Sequence, residues 1–228
     1  DTGLWLPTSV GTDASGSFYT GSSAQMFGSL TTGAGSVIRV EPGSTLTLSS
    51  GFTNNGLIEL DRASATHLGV NADAGATFTV NAGRLTNSGT ILSTGAGTVE
   101  NAMNLNGGGF GAADTTVLVN TAAGVLQVDG SLQIDNHYGV VDFSAGSVNI
   151  AGGQTLGMFG LGPNLPTWDS KVRLGGANLG ASRGTLDMRG GNGLVLTSDL
   201  VNDPVNGVTL SLSGSNTVSA AAGGATLI

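Results

Sequence analysis

One stretch of this chain is written twice. From Pro42 it reads PGSTLTLSSGFTNNGLIEL, and from Ala74 it reads AGATFTVNAGRLTNSGTIL. Gly43 aligns with Gly75 and Gly51 with Gly83 at a spacing of 32; after one extra residue, Asn54 aligns with Asn87, Gly56 with Gly89 and Ile58 with Ile91 at 33. Each copy is a turn, a short alternating run, a second turn and another run. Repetition at such a period marks a solenoid or another repeat architecture, because each unit must bury its apolar face against the next copy.

The alternating runs extend well beyond the duplication. Ile38 and Val40 alternate with Arg39 and Glu41, Leu46 and Leu48 with Thr45 and Thr47, and Phe78 and Val80 with Thr77 and Thr79. Ile58 and Leu60 flank Glu59; Leu126/Val128, Leu132/Ile134, Val148/Ile150 and Val172/Leu174 continue the pattern. Successive side chains of a strand face opposite sides, so each apolar pair marks an inward face. The runs end at PG, AG, NNG, NSG, DG or GG, which supply the backbone angles of tight turns. No segment sustains a helical period, and helix should be nearly absent.

Short strands and turns also suit a sandwich or an up-and-down barrel. The duplication keeps turn positions as well as apolar ones, as stacked coils require. Asn54 and Asn87 would then form a ladder of side-chain amides from coil to coil. The expected fold is therefore all-β, a single-stranded parallel β-helix. A rise of about 4.8 Å per coil and roughly 20 to 33 residues per coil predict about seven to eleven coils. Leu46, Leu48, Ile58, Phe78, Val80 and Ile91 are the expected core.

Composition narrows the function classes. Of 228 residues 40 are glycine and only 10% are charged, with no collagen period and 5 prolines. A net charge of −8, with Lys171 the sole lysine, argues against a nucleic-acid or anionic-membrane surface. There is no cysteine, hence no disulfide, thiolate metal site or cysteine nucleophile. No apolar run approaches the ~18 residues of a membrane span. Residues 1–10 lack the pattern of a signal peptide, so any export signal is expected to be gone already.

Four segments are expected. Residues 1–30, with Trp5, Phe18, Tyr19 and Phe27, read as an N-terminal cap or docking segment, since a solenoid's end coil must be covered. Residues 31–156 read as regular coils. Residues 157–207, which hold Pro163, Pro166 and Trp168, read as irregular coils or a loop insertion. Residues 208–228 read as terminal strands. The aromatic start and the strand-like Leu227 and Ile228 suggest self-association, in which one chain's strand completes the next one's edge.

Chemistry is sparse. Lys171, Arg173, Arg183 and Arg189 cluster in the irregular segment and, with Trp168, are the candidates for binding an acidic glycan; more often such a cluster balances nearby carboxylates, here Asp169 and Asp187. Asp129, Asp135 and Asp142 could approach glycosidase spacing or hold Ca²⁺ through oxygen ligands. Asp beside Gly or Asn is also ordinary turn chemistry. His67 and His137 stand 70 positions apart with no partner pattern for zinc or a triad. NGGGFG, from Asn106, precedes no helix and so is not a phosphate loop. The Thr pairs at 45/47 and 77/79 are broken at Arg39/Glu41 and Gln127/Asp129, which speaks against an ice-binding face. No cofactor is expected beyond that weak Ca²⁺ option.

FTNNGLIEL, RLTNSGTI, PGSTLTLSSG and VTLSLSGSNTV resemble the recurring phrases of bacterial autotransporter passenger domains and filamentous-haemagglutinin-type adhesins. The resemblance covers about 40–150 and 208–228. It implies a right-handed parallel β-helix and an exported, cell-surface protein, structural or adhesive, without catalytic residues. The expected partners are copies of itself and surface glycans or host or cell surfaces. A polysaccharide-degrading or polysaccharide-binding β-helix, pectate-lyase-like or tailspike-like, is the alternative.

Overall fold

A computed structural model describes residues 4–5, 18–20, 23–62, 73–107, 115–136, 138–160 and 170–228, the first two stretches by backbone alone. The described residues form a parallel β-helix with three strands per coil. Sheet A stacks β3 (Ala24–Met26), β6 (Thr45–Leu48), β9 (Thr77–Val80), β12 (Asn101–Leu105), β15 (Leu132–Asn136), β18 (Thr155–Gly160), β20 (Thr185–Gly190) and β22 (Thr209–Gly214). Sheet B stacks β2 (Phe18–Thr20), β5 (Val37–Val40), β8 (Leu57–Arg62), β11 (Thr90–Gly95), β14 (Val125–Val128) and β17 (Ser147–Ile150). Sheet C stacks β4 (Leu30–Thr31), β7 (Phe52–Asn54), β10 (Leu85–Asn87), β13 (Thr116–Asn120), β16 (Gly139–Asp142), β19 (Ser170–Leu174), β21 (Gly193–Leu196) and β23 (Thr217–Ala220). The chain visits them in the order A, C, B. At one end β1 (Leu4–Trp5) runs antiparallel along β3, covering the edge at Gln25 and Met26.

The duplicated stretch is two consecutive coils in register. Leu46 lies beside Phe78 and Leu48 beside Val80 in sheet A, and Ile58 lies beside Ile91 in sheet B. Phe52 pairs with Leu85, so the extra residue of the second copy is Arg84, in the corner between two sheets. Corners take insertions more readily than strands, where one added residue would turn every following side chain to the wrong face.

Stacked coils place like on like inside the rod. One column on sheet A runs Ala24, Leu46, Phe78, Met103, Ile134, Met158, Met188 and Leu212. Its counterpart on sheet C runs Leu30, Phe52, Leu85, Leu118, Val141, Val172, Leu194 and Val218. The last coil leaves its members of the two columns, Leu212 and Val218, exposed. Phe52 and Phe78 meet across the interior edge to face, with centroids 6.4 Å apart. The expected core residues Leu46, Leu48, Ile58, Phe78, Val80 and Ile91 are all buried. Burying each such side chain contributes about 1.5–3 kcal/mol before chain entropy is set against it.

A polar column runs through the corner between sheets C and B. Thr32 donates to Asn54 Oδ1, Asn54 Nδ2 to Asn87 Oδ1 at 2.8 Å, and Asn87 Nδ2 to Asn120 Oδ1 at 2.7 Å. Each amide's second N–H reaches a backbone carbonyl of the following coil, Thr90 for Asn54 and Val125 for Asn87. Beside the asparagines the coils approach too closely for any Cβ. One added at Gly89 would lie 2.1 Å from the Gly56 carbonyl oxygen, and one added at Gly56 would lie 2.2 Å from that of Ser36. That contact is why the two copies share a glycine here.

Part of the span 157–207, where irregular coils or a loop are expected, lies outside the described residues. Strands β18 to β21 keep the parallel register of sheets A and C. Among the described residues of that span, the irregularity lies on the third side. Sheet B ends at β17, and the segment GANLGASRG, which has no alternating run, supplies a 3-10 turn at Gly176–Leu179 instead. Leu179 fills the core, and the Ser182 hydroxyl stands in for a strand, accepting from Ile150 N and donating to the Val148 carbonyl. The exposed edge of β17 is thereby satisfied without another strand. This turn is the one helical element among the described residues, none of which forms a helix long and apolar enough to cross a membrane.

Candidate functional site

Rows of outward side chains run along each sheet. On sheet A one row is Thr45, Thr77, Ala102, Gln133, Gly157, Asp187 and Ser211. The adjacent row is Gln25, Thr47, Thr79, Asn104, Asp135, Phe159, Arg189 and Ser213. Their first halves are short and uncharged; their second halves carry the densest polar chemistry of the described residues.

Arg189 organises that half. Its guanidinium grips Glu100 with two parallel bonds, Nη1 to Oε2 at 2.7 Å and Nη2 to Oε1 at 3.0 Å. It also donates from Nε to Asp187 Oδ2 at 2.7 Å and from Nη1 to Gln133 Oε1 at 2.9 Å. The side chain starts on β20 and crosses β18 to reach the residue preceding β12. Gly157 makes this possible, since a Cβ there would lie 2.8 Å from the guanidinium carbon. The bond to Glu100, then that to Asp187, holds the Arg189 pKa above its ordinary value against an opposing burial effect. Arg189 is thus fixed as a cation, and the fork geometry fixes its direction. Asp187 Oδ1 is buried without a hydrogen-bond donor among the described residues.

Two further groups flank the clamp. Asp135 accepts from Gln133 Nε2 at 2.7 Å through Oδ1. Phe159 is half-buried and points outward between Asp135 and Arg189, its ring leaning over Gly190, where an added Cβ would meet Cε2 at 3.5 Å. Sequence reasoning passed over Phe159 and Glu100. The signal for Phe159 was present in TLGMFG, where Met158 continues the inward phase and Phe159 falls on the outward one. Glu100 carried no such signal, because it meets Arg189 only through stacking.

The four basic residues do not gather. Arg189 lies on sheet A, whereas Lys171 and Arg173 lie on β19 of sheet C, where Arg173 faces Asp142 at 3.8 Å. Arg183 follows the 3-10 turn and donates to the Ser182 carbonyl. It lines a cleft of about 340 Å³ with Asp199, Asp203, Asn206, Leu179 and Leu200. The carboxylates of this cleft are engaged by backbone N–H groups: Asp199 accepts from Thr226 N at 2.8 Å, and Asp203 accepts from Val205 N and Asn206 N of its own loop, both at 3.0 Å. Those last two backbone bonds hold the Asp203 pKa below the ordinary carboxylate value.

The three aspartates proposed for a cation or for catalysis are separated too. Asp129 sits in the corner after β14 bonded to Gln127, Asp135 faces out of sheet A, and Asp142 faces out of sheet C. Six positions of sequence here span a corner, so neighbours in the chain face different directions. Among the described residues no three His, Cys, Asp or Glu side chains converge as a metal site. Trp168, His67 and His137 lie outside the described residues. So do the side chains of Trp5, Phe18 and Tyr19. Phe27 is 48% exposed, and Leu227 and Ile228 are 39% and 67% exposed beside Leu200.

Comparison of the chain with protein families, with curated proteins and with solved structures finds no match.

Proposed function

We propose that this chain is an extracellular structural or adhesive protein of a bacterial cell surface, a rod that self-associates or binds surfaces through its outer faces. The observation that carries the reading is the outer face of sheet A over its first coils, where Gln25, Thr45, Thr47, Thr77 and Asn104 present uncharged, hydrogen-bonding side chains around a buried Thr79. Such a face contacts other polar surfaces with little desolvation of charge, and the parallel ladder beneath it resists bending. Zero cysteine, one lysine and a net charge of −8 agree with an exported surface component. A hydrolytic reading needs two carboxylates facing one bond. The outward directions of Asp129, Asp135 and Asp142 weigh against it.

Electron microscopy of the purified chain over a concentration series, with adsorption to bacterial cells and polysaccharide-coated surfaces, tests the proposal. Filaments, sheets or saturable adsorption are expected. Monodisperse rods that adsorb to nothing, or that depolymerise the coating, would overturn it.

A further inference from the structure

The row containing Phe159 is polar at every other position, from Gln25 to Ser213. Phe159 adds nothing to the core, since Met158 and Gly160 are its buried neighbours on β18. An aromatic ring held on an outer face costs solubility unless it meets something. Beside it, the Arg189 clamp presents fixed polar groups. Asp135 uses Oδ1 for Gln133, while Oδ2 has no protein donor among the described residues. Of the five guanidinium N–H groups, one on Nη2 is left after Glu100, Asp187 and Gln133 are served.

We propose that Phe159, Asp135 and Arg189 form a binding platform for a neutral pyranose of a polysaccharide. The apolar C–H face of a sugar ring carries slight positive charge and stacks on the negative face of an aromatic ring. Its hydroxyls donate to Asp135 Oδ2 and accept from the remaining Arg189 N–H, and charge-assisted bonds of this kind are the stronger ones. Local charge decides against an acidic sugar or phosphate: Glu100, Asp187 and Asp135 outnumber Arg189. The clamp also removes the entropy cost that a mobile arginine would add on binding. The platform deepens the adhesive reading and rests on it, by naming what the surface would hold.

The test is affinity electrophoresis and calorimetry of the full chain with a neutral β-glucan, a mannan and a galactan, with polygalacturonate and tetramethylammonium as charged controls. Retardation by at least one neutral polysaccharide is expected, with at least a tenfold loss of affinity in Phe159→Ala and Asp135→Ala and retention in Phe159→Tyr. Phe159→Leu keeps an apolar group and loses stacking, so it reads the platform even where Phe159→Ala does not fold. No retardation by any neutral glycan, unchanged affinity in Phe159→Leu, or preference for polygalacturonate or the ammonium ion would overturn the platform. Phe159→Leu rods that still adsorb to polysaccharide-coated surfaces as the parent does would overturn it too, while leaving the adhesive reading intact.

Discussion

Replacing Asn87 by alanine probes what the ladder contributes. The substitution removes three bonds: the one accepted from Asn54 Nδ2 at 2.8 Å, the one donated to Asn120 Oδ1 at 2.7 Å and the one donated to the Val125 carbonyl at 3.1 Å. Two side-chain groups are then orphaned, an Asn54 N–H and the Asn120 carbonyl oxygen. Water cannot reach either, because Asn54 is 0% and Asn120 1% exposed. Each buried, unsatisfied group costs about 1–3 kcal/mol, so the loss for two should be about 2–6 kcal/mol. The control is Asn104→Ala on the outer face, which removes one long bond, 3.3 Å to Thr79 Oγ1, beside solvent. Its cost should stay below about 1 kcal/mol. Guanidinium unfolding followed by circular dichroism measures both, read as a shift in midpoint at unchanged slope. Solenoids can unfold coil by coil, so hydrogen exchange should locate the damage at Ser88, Thr121 and Val125, whose amides bridge these coils. Asn54→Ala in the same chain should add much less than its separate cost, because the two residues share one bond. Additive losses, or an Asn87→Ala cost no larger than that of Asn104→Ala, would refute the ladder as a stabilising device.

Other perturbations test the rest of the architecture. Gly89→Ala puts a methyl group 2.1 Å from the Gly56 carbonyl oxygen, so the coils must part; a loss of about 1–3 kcal/mol or more is expected in the same unfolding assay. Phe78→Ala empties a fully buried site beside Leu46, Met103 and Phe52 and should cost about 3–5 kcal/mol, with altered near-ultraviolet dichroism. Arg189→Met leaves Glu100 and Asp187 facing each other without their cation. The cluster is partly solvated, so the melting temperature should fall modestly, and less so at high salt. Asp203 has a depressed folded-state pKa, so its contribution is present above the unfolded value and lost as pH falls through the folded one. Faster exchange at Val205 and Asn206 below about pH 4 is expected in the parent and absent in Asp203→Asn.

Much of the fold was legible because stacking repeats the same physical demand every coil. Leu46 and Phe78 occupy one column, so both must be apolar; Gly56 and Gly89 occupy one close contact, so both must lack a side chain. Such demands leave a period in the sequence. The sites were less legible. Lys171, Arg173, Arg183 and Arg189 look like one cluster along the chain, but three sides per coil leave Lys171 and Arg173 on sheet C, Arg189 on sheet A and Arg183 after the 3-10 turn.

The sequence alone determined the winding: alternation set inward and outward faces, turn residues set the corners, and the duplication required parallel copies. The tertiary structure decided which outward residues meet. Residues 89 positions apart, such as Arg189 and Glu100, become neighbours only when the coils between them are counted and one intervening position is a glycine. Inward faces are constrained by burial, which every coil repeats. Outward faces are constrained by whatever lies beside them in the stack, and that adjacency depends on the length of every corner between.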